Sequence, residues 1–258
     1  MEYFPVSRAP KGSMLANTKN RSIEFMKYLI FDIGGVIVYP RLGQWNIPFG
    51  ATSILGSRAN DIGSEAYNKA YQKAVVYLDE SQFVPDTDAE YILRKKFISS
   101  LNLDMQWHMT ENEISALTRD FTFNINRYGF FEDVKPWLEK WKKRYSMGLL
   151  SDALPSILLF MDEYGISDYF DSRVISAHVG STKPNRNMYE SIIKKLGAQP
   201  EDCVFVDDRV CNLEGAIADG IHAVQMARNE FMPDTIWDGP VVHNFEELDY
   251  LLESGELF

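Results

Sequence analysis

Three short apolar runs in this chain each stop abruptly at a polar residue: Tyr28 to Phe31 before Asp32, Met147 to Leu150 before Ser151 and Asp152, and Cys203 to Val206 before Asp207 and Asp208. Runs of this length with no polar alternation suit strands buried on both faces, as in a parallel sheet. A candidate helix follows each of them, which gives the strand–helix–strand rhythm of an α/β fold. Ligands of open parallel sheets bind outside the carboxyl ends of the strands. Asp32, Ser151 and the Asp207–Asp208 pair are therefore expected at one edge of a single sheet.

The helices between the runs have readable ends. Asp133 is placed to cap a helix from Val134 to Tyr145, with Trp137, Leu138 and Trp141 on one face. Pro155 suits the first turn of a helix running to Gly165, a left-handed stop. Asn187 is positioned to cap Met188 to Leu196 ahead of Gly197, and Asn244 with Glu247 resembles a capping box before Leu248, Leu251 and Leu252. From about 42 to 128 strand-like runs are scarce. Tyr67, Ala70, Tyr71, Ala74 and Leu78, and later Ile114, Leu117 and Phe121, follow helical spacing. The expected organisation is an irregular N-terminal arm over 1–26, an α/β core from 27–41 and 129–258, and a helical lid over 42–128.

The formal net charge of −11 argues against nucleic acid or an anionic membrane as partner, because both need a basic face. No apolar stretch approaches the roughly 18 residues that cross a bilayer. Two cysteines, Cys203 and Cys211, make a disulfide framework improbable and fit a reducing, cytoplasmic setting. A small anionic substrate stays compatible with this balance, since a local site can be positive on an acidic protein. Nothing in the composition addresses oligomeric state.

The polar residues at the strand ends have two readings each. Asp32 before Gly34 and Gly35 is either a solvated turn or a nucleophile at the mouth of the sheet. Asp207 and Asp208 are either a helix-start pair or, with Asp32 nearby, a concentration of negative charge that requires a cation. Oxygen-only ligands open to water suit Mg²⁺. Ser151 is a phosphoryl-binding hydroxyl or an ordinary cap, and Lys183, in a short loop before Pro184, is a charge over the same edge or a solvated lysine.

The order and spacing of "FDIGGV", "LLSD", "STKPNRNMY" and "CVFVDDRVCNLEGAIADG" resemble the haloacid dehalogenase-like superfamily over roughly residues 27 to 228. The resemblance implies a Rossmann-like parallel sheet with an inserted α-helical cap of the first class. It implies that Asp32 is the nucleophile that becomes a phosphoaspartate, that Ser151 binds the transferring phosphoryl group, and that Lys183 steadies both. It places Mg²⁺ on Asp32, on Asp208, on Asp207 directly or through water, and on the main-chain carbonyl of Gly34. Asn212 would orient the acidic loop.

One position departs from the pattern. The superfamily's second aspartate, two residues after the nucleophile, donates a proton to the leaving alcohol, and here that position is Gly34. Its loss removes roughly 10²–10⁴-fold of general acid–base help, or about 3–5 kcal/mol of barrier. A branch of the superfamily with Gly there includes sugar-phosphate phosphatases. The expected function is a Mg²⁺-dependent phosphatase acting on a small phosphorylated metabolite, with the missing proton supplied by water or the lid or not needed by the leaving group. The competing readings are a weak or inactive binding protein with the same fold and a dehalogenase, against which the acidic pair speaks. Arg41 and Trp45 are candidates for reading the distal part of a substrate or for hinge packing.

Overall fold

Phe31 ends a strand whose every side chain but the first is shut away from water. This strand, β1 (Tyr28–Phe31), sits in the middle of a parallel sheet. The structure is a computed structural model that describes residues 28–80, 82–228, 233, 235–255 and 257. The arm expected over 1–26 lies outside the described residues.

In chain order the elements are β1, β2 (Val38–Pro40), α1 (Ala51–Leu55), α2 (Glu65–Ala74), α3 (Thr87–Met105), α4 (Glu111–Phe123), β3 (Tyr128–Phe130) and α5 (Val134–Trp141). There follow β4 (Ser146–Ser151), α6 (Ser156–Glu163), β5 (Ser172–Ile175), α7 (Ser176–Val179), α8 (Arg186–Leu196) and β6 (Cys203–Asp207). The chain continues through α9 (Val210–Ala218), β7 (His222–Met226), β8 (Val241–Val242) and α10 (Phe245–Ser254). Six of the strands form one sheet in the order β5-β4-β1-β6-β7-β8, parallel throughout. The parallel α/β sheet expected from the three apolar runs is the one observed, flanked by helices as in a Rossmann-like core.

Both faces of the sheet are covered, which explains the unbroken apolar runs. Leu29 and Phe31 join one core with Met147, Leu149, Val204 and Val206, while Ile30 joins the other with Leu150 and Phe205. Successive side chains of a strand point to opposite faces, so a strand buried twice has no place for a polar residue. In the first core Phe31 stacks on Trp141, ring centroids 5.7 Å apart, and Trp141 packs on Phe245 at 4.9 Å. The Trp141 indole N–H is satisfied by Asp249 Oδ1 at 2.7 Å, and Lys140 reaches the other oxygen at 2.7 Å.

Helix ends differ in detail from expectation. Asp133 makes no cap bond to α5; its carboxylate instead accepts from Arg228 Nη1 at 2.6 Å and from the Phe245 amide at 2.8 Å, and the helix stops at Trp141 rather than Tyr145. Asn185, not Asn187, caps α8, accepting from the Asn187 amide at 3.0 Å. Asn244 accepts from the Glu247 amide as expected, but the Glu247 carboxylate returns to the His243 amide, one residue short of a capping box. Pro155 and Gly165 bracket α6 as expected, with Gly165 at φ +64. Val36 and Ile37 form a turn, and the extended path resumes only at Val38.

Between β2 and β3, which pair antiparallel, the chain forms α1 to α4 and short 3-10 turns. Helix α3 packs on α2 and α4 around Phe97, Ile98, Leu117 and Phe121. This insert is tied to the sheet domain at a buried point. Glu90 of α3 accepts from the Ser156 amide at 2.6 Å and the Ser156 hydroxyl at 2.7 Å, and from Arg94 Nε at 2.6 Å. The Arg94 guanidinium lies 3.8 Å from the Phe121 ring centroid.

Asp249→Ala removes the partner of a buried indole N–H, and an unpaired buried donor costs about 1–3 kcal/mol. Urea unfolding of this variant is expected to show a loss of that size, and Asp249→Asn a smaller one.

Candidate active site

Asp32 is the residue after β1, where the chain leaves the sheet. Its amide still donates to Val206 O at 2.9 Å, so the carboxylate is fixed at the strand tip. Ser151 closes β4 and Asp207 closes β6, the two neighbours of β1. Parallel register thus carries all three to one edge. Gly35 has φ +70, and a Cβ there would lie 2.4 Å from Asp208 Oδ2; only glycine permits the turn and the close approach.

The loop before α8 supplies the cation. Lys183 Nζ donates to Asp32 Oδ1 at 2.8 Å, Asp207 Oδ2 at 2.7 Å and Leu150 O at 3.1 Å, and its side chain is 1% exposed. All three ammonium protons are engaged. Burial works to strip the proton from Lys183, but the Asp207 and Asp32 carboxylates prevail and hold it above the usual lysine range. The Lys183 amide donates to Asp152 Oδ1 at 2.9 Å, which anchors the loop. Asp207 also accepts from Asn212 Nδ2 at 3.0 Å and from the Arg209 amide at 2.8 Å. Asn212 therefore does orient the acidic loop, and Gln225 Nε2 holds the Asp208 carbonyl at 2.9 Å.

Two carboxyls in this group resist ionisation. Burial pushes Asp32 up to about 6 against the pull of Lys183 and the Ser151 hydroxyl, and burial with repulsion from Asp207 and Asp32 pushes Asp208 up to about 8. One carboxylate oxygen from each of Asp32, Asp207 and Asp208 lies within 4.8 Å of the others. Lys183, Asn212 and the Arg209 amide already occupy Asp207, which leaves Asp32 and Asp208 as the oxygens facing outward. This hard, oxygen-only set with surplus negative charge fits a small divalent cation.

A cavity of about 480 Å³ opens over these residues. Asp32, Gly34, Ser151 and Asp208 line its floor, while Lys183 and Asp207 lie behind it. Trp45 and Asn46 contribute one wall, and Glu80, Arg94 and Arg127 arrive from the insert. Arg41 does not line the cavity; its Nε donates to Tyr128 O at 2.8 Å. Burial lowers the buried Arg127 to about 10. Burial, then repulsion from Asp152, raises Glu80 to about 8. Glu80, Arg94 and Arg127 carry no local signature, because only the docking of the insert brings them here.

Fold and site together make a parallel α/β architecture with a carboxylate at the tip of a central strand. The chain belongs to the haloacid dehalogenase-like hydrolase family, whose profile matches residues 26–220. It is 26% identical over 140 residues to a phosphatase from Mycobacterium tuberculosis, covering 52% of this chain and 61% of that protein. It is 30% identical over 140 residues to an enolase-phosphatase E1 from an Enterobacter strain, covering 50% and 55%. These matches span less than two thirds of the relatives' length. Among solved structures it is similar to an HAD phosphatase from Thermococcus onnurineus, with TM-score 0.62, 22% identity and 88% and 98% of the two chains covered. It is also similar to an L-2-haloacid dehalogenase from Xanthobacter autotrophicus, with TM-score 0.64, 16% identity and 90% and 100% covered. An HAD family enzyme from Bacteroides thetaiotaomicron in complex with magnesium and inorganic phosphate has TM-score 0.57 and 17% identity over 83% and 98% of the two chains.

Lys183→Met leaves two buried carboxylates without their cation, a change that costs about 3–5 kcal/mol at neutral pH. The deficit relative to the unchanged protein is expected to shrink as pH falls and the carboxyls take up protons. Denaturant unfolding at several pH values measures it; a deficit independent of pH contradicts the charge account.

Proposed function

We propose that this protein is a Mg²⁺-dependent phosphatase that hydrolyses a small phosphorylated metabolite, a sugar phosphate being one candidate, through a phosphoaspartate on Asp32. The observation that carries the proposal is the Asp32–Lys183–Asp207 arrangement, with Asp208 beside it, beneath a cavity wide enough for a small molecule. A cation would be held by Asp32, Asp208 and the Gly34 carbonyl, with Asp207 behind a water. Bound Mg²⁺ would supply charge neutralisation for the phosphoryl oxygens.

The chain's own residues do the rest. Asp32 Oδ2 is the oxygen that Lys183 leaves free, and it attacks phosphorus. Lys183 keeps the other oxygen fixed, so the nucleophile loses no orientation on the way to the transition state. The Ser151 hydroxyl, at the rim of the next strand, donates to a phosphoryl oxygen. Core residues 27–41 and 129–258 provide this chemistry, and the helical cap over 42–128, of the first class, closes over the substrate. Trp45 and Asn46 in the wall suit the face and hydroxyls of a polar metabolite. Gly34 places the chain in the branch without the second aspartate.

The names of the relatives support a phosphoryl substrate, and the acidic pair favours it over an uncharged carbon centre. No helix among the described residues is long and apolar enough to cross a membrane, in keeping with a cytoplasmic hydrolase of metabolites.

Turnover of 4-nitrophenyl phosphate is expected to require Mg²⁺ and to drop by roughly 10⁴-fold or more in Asp32→Asn. Absence of metal-dependent turnover across aryl, sugar and alkyl phosphates would favour the binding-protein reading. A second expectation concerns metal alone. Asp208 must shed its proton to bind a cation, so the apparent Mg²⁺ affinity should strengthen as pH rises toward about 8 and level off above it. Calorimetric titration in two buffers of different ionisation heat measures the protons released; none released at neutral pH contradicts the raised Asp208.

A further inference from the structure

Gly34 stands where the superfamily's pattern has a second aspartate, which leaves the proposed phosphatase without the group that would protonate its leaving alcohol. A Cβ at Gly34 would stand 3.2 and 3.3 Å from two ring carbons of Trp45. The indole therefore crowds the space in which a side chain at position 34 would begin, and would have to give by a few tenths of an ångström to admit one. An acid for this site has to come from another wall.

Among the described residues five carboxyl groups line the cavity: Asp32, Asp79, Glu80, Asp152 and Asp208. Asp32 is the nucleophile of the proposed reaction, and Asp208 sits against Gly35 in the cation cluster. Asp152 is committed to the Lys183 amide. Asp79 is exposed. Glu80 remains, a half-buried residue of the insert that lines the same cavity as Asp32 and Ser151.

The geometry points to Glu80 as the catalytic acid and base of this enzyme, a residue of the insert taking over the work of the aspartate that the chain lacks at Gly34. The inference rests on the phosphatase reading above. In the first step the bond from Asp32 Oδ2 to phosphorus forms as the bond from phosphorus to the ester oxygen breaks. That oxygen takes the proton of Glu80 and departs as a neutral alcohol, leaving Glu80 a carboxylate. In the second step Glu80 removes a proton from water as the water oxygen bonds to phosphorus. Asp32 is released as a carboxylate, inorganic phosphate forms, and Glu80 is again neutral.

The electrostatics of the wall supply the proton. Glu80 interacts with Asp152 and Asp32, which favour its neutral form, and with Arg94 and Lys183, which oppose it; Asp79, Arg127, Asp208 and Arg209 share the cavity. Glu80 is half-buried, and desolvation outweighs the opposing charges and raises it to about 8, so that it carries a proton at neutral pH. A substrate phosphoryl group adds negative charge and acts in the same direction. An acid with a pKa near the working pH is the efficient kind.

The experiment compares two esters that differ in their need for a proton: glycerol phosphate, whose alcohol is a poor leaving group, and 4-nitrophenyl phosphate, whose phenol leaves unaided. Glu80→Gln and Glu80→Ala are expected to lower kcat/KM for glycerol phosphate by roughly 10²–10⁴-fold while changing 4-nitrophenyl phosphate kcat/KM by less than about threefold. Far-UV circular dichroism and thermal unfolding certify that each variant is folded; the esters are compared on kcat/KM, which ends with release of the alcohol, while aryl kcat is expected to fall because hydrolysis of the phosphoaspartate uses Glu80 as base. The unchanged enzyme should lose kcat/KM for glycerol phosphate as pH rises through about 8, and the variants should lack that limb. Equal effects on the two esters, no effect on either, or an unchanged protein that hydrolyses only the aryl ester would each overturn the assignment. Failure of the phosphatase reading itself looks different: the unchanged protein is then silent toward 4-nitrophenyl phosphate as well.

Discussion

A single buried ammonium ties the centre of this molecule together. Lys183 touches the tip of β1 through Asp32, the tip of β4 through the Leu150 carbonyl and the tip of β6 through Asp207, three adjacent strands of the sheet. Carboxylates at such depth would otherwise neutralise themselves by taking up protons. The lysine bonds Asp32 and Asp207, and the carboxyl oxygens of Asp32, Asp207 and Asp208 gather within 4.8 Å of one another at the sheet edge. Fold and site are thus the same construction: the strands set where the charges stand, and the charges set what the strand tips can bind. The remaining contacts, from Asn212, the Arg209 amide and Gln225, fix the acidic loop in the one arrangement that shares the lysine.

The parallel sheet was legible because burial on both faces writes itself into a strand as an unbroken apolar run. "YLIF", "MGLL" and "CVFV" could hardly be anything else once each was followed by a helix and a polar tip. Lys183 was legible only through its loop motif, since a lone lysine before proline is ordinarily solvated. Helix ends were read less well, and for a tertiary reason. Asp133 looks like a cap but serves Arg228 and the start of α10, more than a hundred residues away along the chain for the latter. Asn185 and Asn187 are equivalent by propensity, and the loop that delivers Lys183 decides between them. The arginines and the glutamate of the cavity wall left no trace at all, because helical spacing reports which face of a helix is buried and not which cavity its ends will overlook.

The insert is more than a lid laid on top. Glu90 is wholly buried and bonds the first turn of α6 in the sheet domain, while Arg94 binds Glu90 and lies over Phe121 at the centre of the helical layer. A carboxylate that satisfies the Ser156 amide and hydroxyl couples the two layers at the mouth of the cavity. Removing either partner of this contact would leave a buried charge or donor unpaired.

The packing of Trp45 against Gly34 has a bearing on the engineering of such sites. A side chain at position 34 would press on the indole, which would have to give by a few tenths of an ångström, and removal of the indole would leave a hole beside Asp32. Exchanges at the two positions, eleven apart in the chain, are therefore expected to be energetically coupled.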